Sequence, residues 1–534
     1  MHTHELSPLI SAYFQLSPDA TLPHQKVSFG TSGHRGSSLE SSFNQAHIWS
    51  ISQAIAEYRQ QQGIKGPLYL GVDTHALSIP AYGSVIEVLV ANGVEVCVHP
   101  REGYTPTPLI SHAILQFNRH SDLMADGVVI TPSHNPPGDG GIKYNAPDGG
   151  PAAIEVTRAI QDRANALLLD GLKEVKRVSL VEARSRVVPF DFVDLYVSNL
   201  PRVLDIDAIE RFGLIIGVDP LGGSSLEVWQ VIAKRFNLNL KLLSLDQDPT
   251  FAFMPKDHDG KIRMDCSSSH AMANVLKLRK SYDLCLANDP DADRHGIVDQ
   301  QGLMNPNHFL AVATDYLLQH RPRWGRDVSI GKTLVTSAMV DRVVARHGMT
   351  LYEVPVGFKW FVDGLYTGQL AFAGEESAGA SLLDKEGLPW STDKDGIVLC
   401  LLAAEIFSVT SLSPNQYYQK LTKTLASSFY TRVDAAASDE LKRAIASLSV
   451  DAIKTTALAG DVIRKVHFTA PGNQQPIGGV KVVTDNGWFA VRPSGTEALY
   501  KLYAESFVGS AHLEILLAEA KVLIANAVEQ AVST

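Results

Sequence analysis

An α/β architecture of three repeated units, closed by a C-terminal domain of a different kind, is what this sequence predicts. Two observations carry that expectation: a strand-Gly-loop-helix-strand pattern that recurs three times, and a change of composition after about Ser427. The overall composition permits it. With 534 residues, 45% hydrophobic and 19% charged, the chain is long enough for about three to five domains.

The first copy runs through an expected strand at residues 68–73, a helix over about 79–92 and a strand at 94–98. The second covers 214–219, about 225–236 and 238–243, and the third 328–333, about 338–347 and 350–353. Apolar runs of this length read as buried strands, and the amphipathic stretches between them have helical length. In each copy a later apolar run opens onto a polar loop: Val128–Ile130 onto the loop of Ser133, Leu284–Ala287 onto Asn288–Arg294, and Ala371–Ala373 onto Gly374–Ser381. Ligands of open α/β sheets bind beyond the carboxyl ends of strands, so these three loops are the expected seat of chemistry. Past Ser427 the pattern stops. Short Ala/Ser-rich helical segments are expected there, then strands at 479–484, 488–491 and 499–505, and a final helix over about 510–532.

The formal net charge of −10 argues against a general nucleic-acid or anionic-membrane binder. Cys97, Cys266, Cys285 and Cys400 are far apart and form no Cys-x-x-Cys pair, so neither a disulfide framework nor a zinc site is indicated. The N-terminus lacks the basic region and apolar core of a signal peptide, and the apolar run Ile397–Ala404 is too short to span a bilayer. A cytoplasmic protein is expected.

Thr131 to Asn145 reads Thr-Pro-Ser-His-Asn-Pro-Pro-Gly-Asp-Gly-Gly-Ile-Lys-Tyr-Asn. Prolines bracket Ser133, so no helix absorbs it, and His134, Asn135 and Lys143 could place an anion beside its hydroxyl. Upstream, Gly30–Gly36 is a glycine-spaced loop carrying Arg35, able to offer backbone N–H groups and a bidentate contact. In the run from Asp289 to His295, alternate residues of an extended loop project to one side, so Asp289, Asp291 and Asp293 converge. Convergent carboxylates repel one another unless a cation lies between them. Oxygen-only ligands suit a hard ion such as Mg²⁺, and the stretch lacks the Gly and Glu placement of an EF-hand.

Gly374–Gly379 supplies paired acceptors and a hydroxyl, suited to a polyol. Lys359, in Val356–Trp360, is either an acid/base group or a lysine covering aromatics. Arg492-Pro493-Ser494-Gly495-Thr496-Glu497 makes a compact phosphate cradle of cationic and neutral donors, between two expected strands.

The serine, triple-aspartate, Gly-Glu-Glu-Ser and Arg-Pro-Ser-Gly-Thr loops, in that order, resemble the α-D-phosphohexomutase superfamily. The likeness runs nearly end to end, through Gly30–Gly36, Thr131–Asn145, Gly260–Ser268, Asn288–Val298, Pro355–Phe361, Gly374–Ser381, Ser391–Gly396 and Arg492–Glu505. It implies four domains in a heart-shaped arrangement: three repeated mixed α/β domains and a smaller α+β C-terminal domain like the TATA-box-binding protein. Their limits would be 1–205 for the phosphoserine loop, 206–305 for the metal, 306–426 for sugar recognition and 427–534 for phosphate binding.

The activity implied is interconversion of α-D-glucose 1-phosphate and glucose 6-phosphate through a glucose 1,6-bisphosphate intermediate. Mannose-phosphate or dual specificity is the alternative; a phosphatase or a non-enzymatic sugar-phosphate binder is more remote. Carried onto this sequence, Ser133 is the phosphorylated residue and holds Mg²⁺ together with Asp289, Asp291 and Asp293. Glu375 and Ser377 grip sugar hydroxyls; Arg492, Ser494, Gly495 and Thr496 hold the non-reacting phosphate; Arg35, His134, Lys143, Arg294 and Lys359 line the reacting centre. His134 and Lys143 are read as charge partners of a phosphoserine. Lys359, His134 and His295 all remain open as the general base, with Lys359 preferred. Ala292 replaces a glycine common in relatives, which stiffens the metal loop. A mobile last domain would let the bisphosphate turn over, and its closure would exclude water. Only small-molecule partners are expected, with no nucleic acid or membrane, in a monomer or homodimer.

Overall fold

The structure, a computed structural model, describes the chain except for residues 1–2, 31–32, 101–102, 450–452, 454, 496–497 and 534, and the side chains of 3–5 and 529–533. Two units make it up. One comprises Met1–Asn305, Phe361–Gly368 and Ser377–Ser413; the other comprises Pro306–Trp360, Gln369–Glu376 and Pro414–Thr534.

In the first unit, a six-stranded sheet has the order His34–Ser37, Asp139–Asn145, Asp126–Ile130, Leu68–Val72, Val96–Val98, Val188–Pro189. The strands Asp126–Ile130, Leu68–Val72 and Val96–Val98 run parallel, with Leu70 opposite Val128 and Val98. Leu68–Val72 and Asp126–Ile130 are buried at every position, which is why they read as unbroken apolar runs. Helices Gln45–Gln62 and Ser78–Ala91 supply Ile48, Ile51, Val85 and Leu89 to the core formed with Leu70, Val128 and Ile130.

A second, five-stranded sheet in the same unit has the order Gly302–Leu303, His295–Asp299, Leu284–Asn288, Ile216–Asp219, Leu240–Leu242. Against its strands Leu284–Asn288 and His295–Asp299 packs the helix Gly396–Thr410, buried from Gly396 through Ile406. A helix apolar on every side belongs inside protein. Among the described residues no single helix is long and apolar enough to cross a membrane.

In the second unit Thr350–Val354, Ser329–Thr333 and Leu370–Gly374 form parallel neighbours in that order. Its C-terminal part is an antiparallel sheet ordered Phe429–Ala436, Leu499–Ser506, Gly487–Pro493, Pro476–Thr484, Asp461–Thr469, Ala457–Leu458, covered by helices Asp439–Ala446 and Ser510–Ser533. Leu334 and Val335 share a core with Trp488, Ala490 and Tyr503, so this sheet is packed onto the parallel one.

Three segments differ from expectation. Phe429–Ala436 is a strand along the whole of Leu499–Ser506, not helical, and from Thr431 to Ala436 its exposure alternates residue by residue despite the Ala-rich end. The turn after Ser133 gives way to the strand Asp139–Asn145, which turns back antiparallel to Asp126–Ile130. Arg35 lies on a strand rather than a loop, opposite Gly141.

Candidate active site

Ser133 stands three residues beyond the carboxyl end of the strand Asp126–Ile130, and Asp289 follows the carboxyl end of Leu284–Asn288 directly. The two meet. Ser133 Oγ donates to Asp289 Oδ2 at 2.8 Å, across 156 positions of sequence. The Ser133 backbone is left-handed, φ 59°, a conformation that costs a non-glycine residue about 1 kcal/mol or more.

Asp289, Asp291 and Asp293 are all buried, and each brings one carboxylate oxygen within 4.8 Å of the others. Alternate residues of the loop do point one way, as the extended reading requires. Pro290 O accepts from Ser224 N and Oγ, and Asn288 Nδ2 donates to Arg294 O, so the backbone of the loop is tied on both flanks. Ala292 is left-handed, φ 55°. A glycine would take this conformation without strain, and the alanine holds the loop strained. Gly396, the first residue of its helix, donates its N–H to Ala292 O at 3.0 Å, and a Cβ there would lie 2.0 Å from Arg294 O.

Cations surround the triad. Lys143, opposite Val129 on the adjacent strand, donates from Nζ to Asp291 Oδ2 at 2.6 Å and Asp293 Oδ2 at 3.2 Å. Lys394 Nζ lies 3.1 Å from Asp293 Oδ2 and 3.2 Å from Asp393 Oδ1. Arg294 Nε and Nη1 lie 3.9 Å from Asp293 Oδ1 and 3.6 Å from Asp265 Oδ2. Thr107 Oγ1 donates to Asp291 Oδ2 at 2.7 Å.

The charges do not balance evenly. Burial opposes ionisation of Asp293, but Lys394, Lys143 and Arg294 outweigh it and hold its carboxyl far below the usual range. Asp289 is pushed well above that range, by burial first and then by Asp291 and Asp293. Asp291 Oδ1 and Asp293 Oδ1 are buried and accept no hydrogen bond. Two carboxylate oxygens without hydrogen bonds beside a carboxylate under repulsion make a donor set that fits a hard divalent cation.

His134 stands beside the serine. Its Nδ1 lies 3.4 Å from Ser133 Oγ, and burial, helped by Arg294, pushes its imidazole down to about 3, so beside the unphosphorylated serine the ring is neutral. Arg35 Nη1 donates to Asn135 Oδ1 at 3.1 Å, on the far side of the serine turn. His295 is buried on its strand, and burial pushes its ring down to about 3.

The remaining loops belong to the second unit, apart from Ser377. Glu375 follows the strand Leu370–Gly374 and accepts from Gly357 N at 3.2 Å. Glu376 Oε2 accepts from Thr333 and Thr336 hydroxyls at 3.0 and 3.4 Å. Lys359 sits in the turn Phe358–Trp360 with Nζ 5.6 Å from the centre of the Trp360 ring. Arg492 closes the strand Gly487–Pro493, with its Nε buried and donating no hydrogen bond. Ser494 N donates to Leu499 O at 2.8 Å, Gly495 is exposed, and Thr496 lies outside the described residues.

Family models for the alpha/beta/alpha domains I, II and III and the C-terminal domain of phosphoglucomutase/phosphomannomutase match residues 26–169, 194–302, 305–425 and 435–521. The chain belongs to that family. It is 53% identical over 520 residues to a phosphoglucomutase of Komagataeibacter xylinus, covering 97% of this chain and 94% of that one. Two solved structures share the fold. The open form of Paramecium pp63/parafusin has a TM-score of 0.74 at 21% identity and covers 97% of this chain and 96% of its own. Aspergillus fumigatus N-acetylphosphoglucosamine mutase, in complex with GlcNAc-6P and magnesium, has a TM-score of 0.57 at 16% identity and covers 95% and 96%.

Reading the sequence missed Lys394, Asp265 and Thr107. Lys394 stands in Ser391–Gly396, a stretch already noted for its family likeness, and the alternation Asp393-Lys394-Asp395 was its available signal. Asp265 likewise stands in Gly260–Ser268, another such stretch, whereas Thr107 carries no local pattern.

Proposed function

We propose that this chain is a phosphoglucomutase that interconverts α-D-glucose 1-phosphate and glucose 6-phosphate, with Ser133 carrying the transferred phosphoryl group. The observation that carries the reading is the Ser133 hydroxyl bonded to Asp289 within a buried triad whose oxygens Asp291 Oδ1 and Asp293 Oδ1 have no hydrogen-bond partner. The high identity to a bacterial phosphoglucomutase supports glucose as the sugar.

Asp289, Asp291 and Asp293, with a phosphate on Ser133, would hold the ion, which we assign as Mg²⁺. When bound it neutralises charge on the phosphoryl oxygens and on the triad. The protein's own groups do the rest. Lys143 ties Asp291 to Asp293 and fixes which of their oxygens remain available. The left-handed turn aims Ser133 Oγ at the triad. Arg35, Arg294 and Lys143 add positive charge where a dianion must be accommodated, and neutral His134 offers a hydrogen bond beside Oγ. We assign Lys359 the role of taking the proton from the attacking sugar hydroxyl.

Glu375 and Ser377 bind sugar hydroxyls, and Arg492, Ser494, Gly495 and Thr496 bind the phosphate that is not transferred. The buried, unpartnered Nε of Arg492 supports the latter role. Glucose 1,6-bisphosphate, formed in the first transfer, turns over so that its other phosphate meets Ser133. The same reading keeps domain limits near residues 205, 305 and 426.

A coupled assay with glucose 1-phosphate, mannose 1-phosphate and glucosamine 1-phosphate tests the assignment. Glucose 6-phosphate should form fastest, with Mg²⁺ and bisphosphate primer present. Release of inorganic phosphate without glucose 6-phosphate would replace it with a phosphatase, and a preference for mannose 1-phosphate with phosphomannomutase activity.

A further inference from the structure

Ser133 holds a backbone conformation that serine does not favour, and its one side-chain hydrogen bond, to Asp289, is made by the reacting hydroxyl itself. The support lies two residues away on either side. Before it, Thr131 Oγ1 accepts from Ser133 N at 2.7 Å, and Thr131 adjoins Asp73, whose carboxyl it helps His75 and Ser78 hold below the usual range against burial. After it, Asn135 O faces His75 Nε2 at 3.0 Å, while His75 Nδ1 lies 2.8 Å from Asp73 Oδ2. Both flanks of the turn therefore lie against Asp73, one through His75 and the other through Thr131 on the neighbouring strand.

The parallel sheet makes this possible. Val72 pairs with Ile130, and Asp73 N donates to Ile130 O at 3.0 Å, so Asp73 and Thr131 leave neighbouring strands at the same level. Asp73, His75 and Thr131 are buried. Asp73 also accepts from His75 N at 3.0 Å and Ser78 Oγ at 2.6 Å, which fixes its orientation. The His75 ring has an acceptor at each nitrogen, a carboxylate and a carbonyl, so both nitrogens donate and the ring is an imidazolium. It packs against Phe251, ring centres 4.9 Å apart. Asn135, held by its carbonyl, accepts from Arg35 Nη1 through its side chain.

We infer that Asp73, Thr131 and His75 form a clamp that holds the left-handed turn at Ser133 and so aims its hydroxyl, with Thr131 and His75 acting as positioning residues for phosphoryl transfer. This rests on Ser133 being the phosphoryl carrier. Without the clamp the turn relaxes toward an ordinary serine conformation, and Oγ leaves its place beside Asp289.

Thr131→Val removes the hydroxyl and keeps the shape; Thr131→Ser keeps the hydroxyl. Thr131→Val should lower both kcat and the rate of Ser133 phosphorylation by glucose 1,6-bisphosphate about tenfold to a hundredfold, as expected for displacing a reacting atom by about 1 Å. KM should stay within about twofold, since sugar binding is untouched, and Thr131→Ser should retain most of the rate. His75→Ala should show the same split between kcat and KM. Wild-type kcat in Thr131→Val, an equal loss in Thr131→Ser, or a rise in KM matching the loss would each overturn the clamp. So would a Thr131→Val protein that fails to fold, because the bond would then serve the fold and not the serine. Ser133→Ala separates the two readings. If it stays active the carrier is wrong; if it is dead while Thr131→Val is normal, only the clamp is wrong.

Discussion

Each unit buries lysines against carboxylates, and the two clusters are built to opposite ends. In the second unit, Lys481 donates to Glu353 and, at 2.7 Å, to Leu334 O; Lys332 lies 2.6 Å from Asp341 Oδ2 and 3.6 Å from Glu353 Oε1. Burial raises the Glu353 carboxyl, but Lys481 and Lys332 outweigh it and bring it down to about 2. That cluster sets a lysine against each of its carboxylates, Asp341 Oδ2 by charge alone, and it joins the C-terminal sheet to the parallel one. In the first unit, Asp289 is pushed upward instead, and carboxylate oxygens of Asp291 and Asp293 are left without hydrogen bonds. Burial and charge type are shared. What separates a structural cluster from a reactive one is whether the charges close on themselves.

The comparison can be broken most sharply at Ser133. Ser133→Ala should abolish mutase turnover, at least about ten-thousandfold in kcat, with the unfolding transition unchanged; a coupled assay beside a thermal melt checks both. Lys481→Met should act the other way, costing about 3–5 kcal/mol because it leaves Glu353 under-compensated, as read by chemical denaturation. A loss below 1 kcal/mol would show that the second cluster is not what holds the sheets together. Arg492→Ala should raise KM for sugar phosphate about tenfold to a hundredfold, the worth of a charge-assisted hydrogen bond, while calorimetry finds Mg²⁺ affinity unaltered.

Asp289→Asn sharpens the contrast within the triad. Relieving a repelled, buried carboxylate should stabilise the metal-free protein by about 1–2 kcal/mol, although the same change should weaken Mg²⁺ binding. A destabilised metal-free variant would mean the triad is balanced after all. The most gradual effect is a pH slope. His47 accepts from Asn44 N through Nδ1 and sits 2.9 Å from Gln25 O through Nε2, a pairing that needs the neutral ring, and burial pushes it down to about 4. The unfolded chain therefore binds the proton first. Stability present above pH 6.5 should be lost as pH falls toward 4, by about 1.4 kcal/mol per unit, and His47→Gln should flatten that slope in melts between pH 7 and 5.

Much of the fold was legible because its signals are local. Fully buried strands such as Leu68–Val72 and Leu284–Asn288 announce themselves as apolar runs, and the loops beyond them carry unusual polar strings. The strand Phe429–Ala436 was hidden by alanines whose helix propensity is overridden by pairing with Leu499–Ser506. In the site, convergence of the three aspartates follows from loop geometry, whereas the neutrality of His134 does not. That depends on burial and on Arg294, and neither shows in the adjacent residues. Lys394 has a local signal in Asp393 beside it, but its partner in the triad, Asp293, is distant in sequence and close only in the folded chain.

The contact between Gly396 and the metal loop has a consequence for how the protein breathes. Because Gly396 N is bonded to Ala292 O at the start of a helix buried through Ile406, the loop has little freedom to open by itself. Amide hydrogens at Ala292, Arg294 and Gly396 should exchange with solvent as slowly as those of the helix interior, making the metal loop part of one of the last regions to unfold.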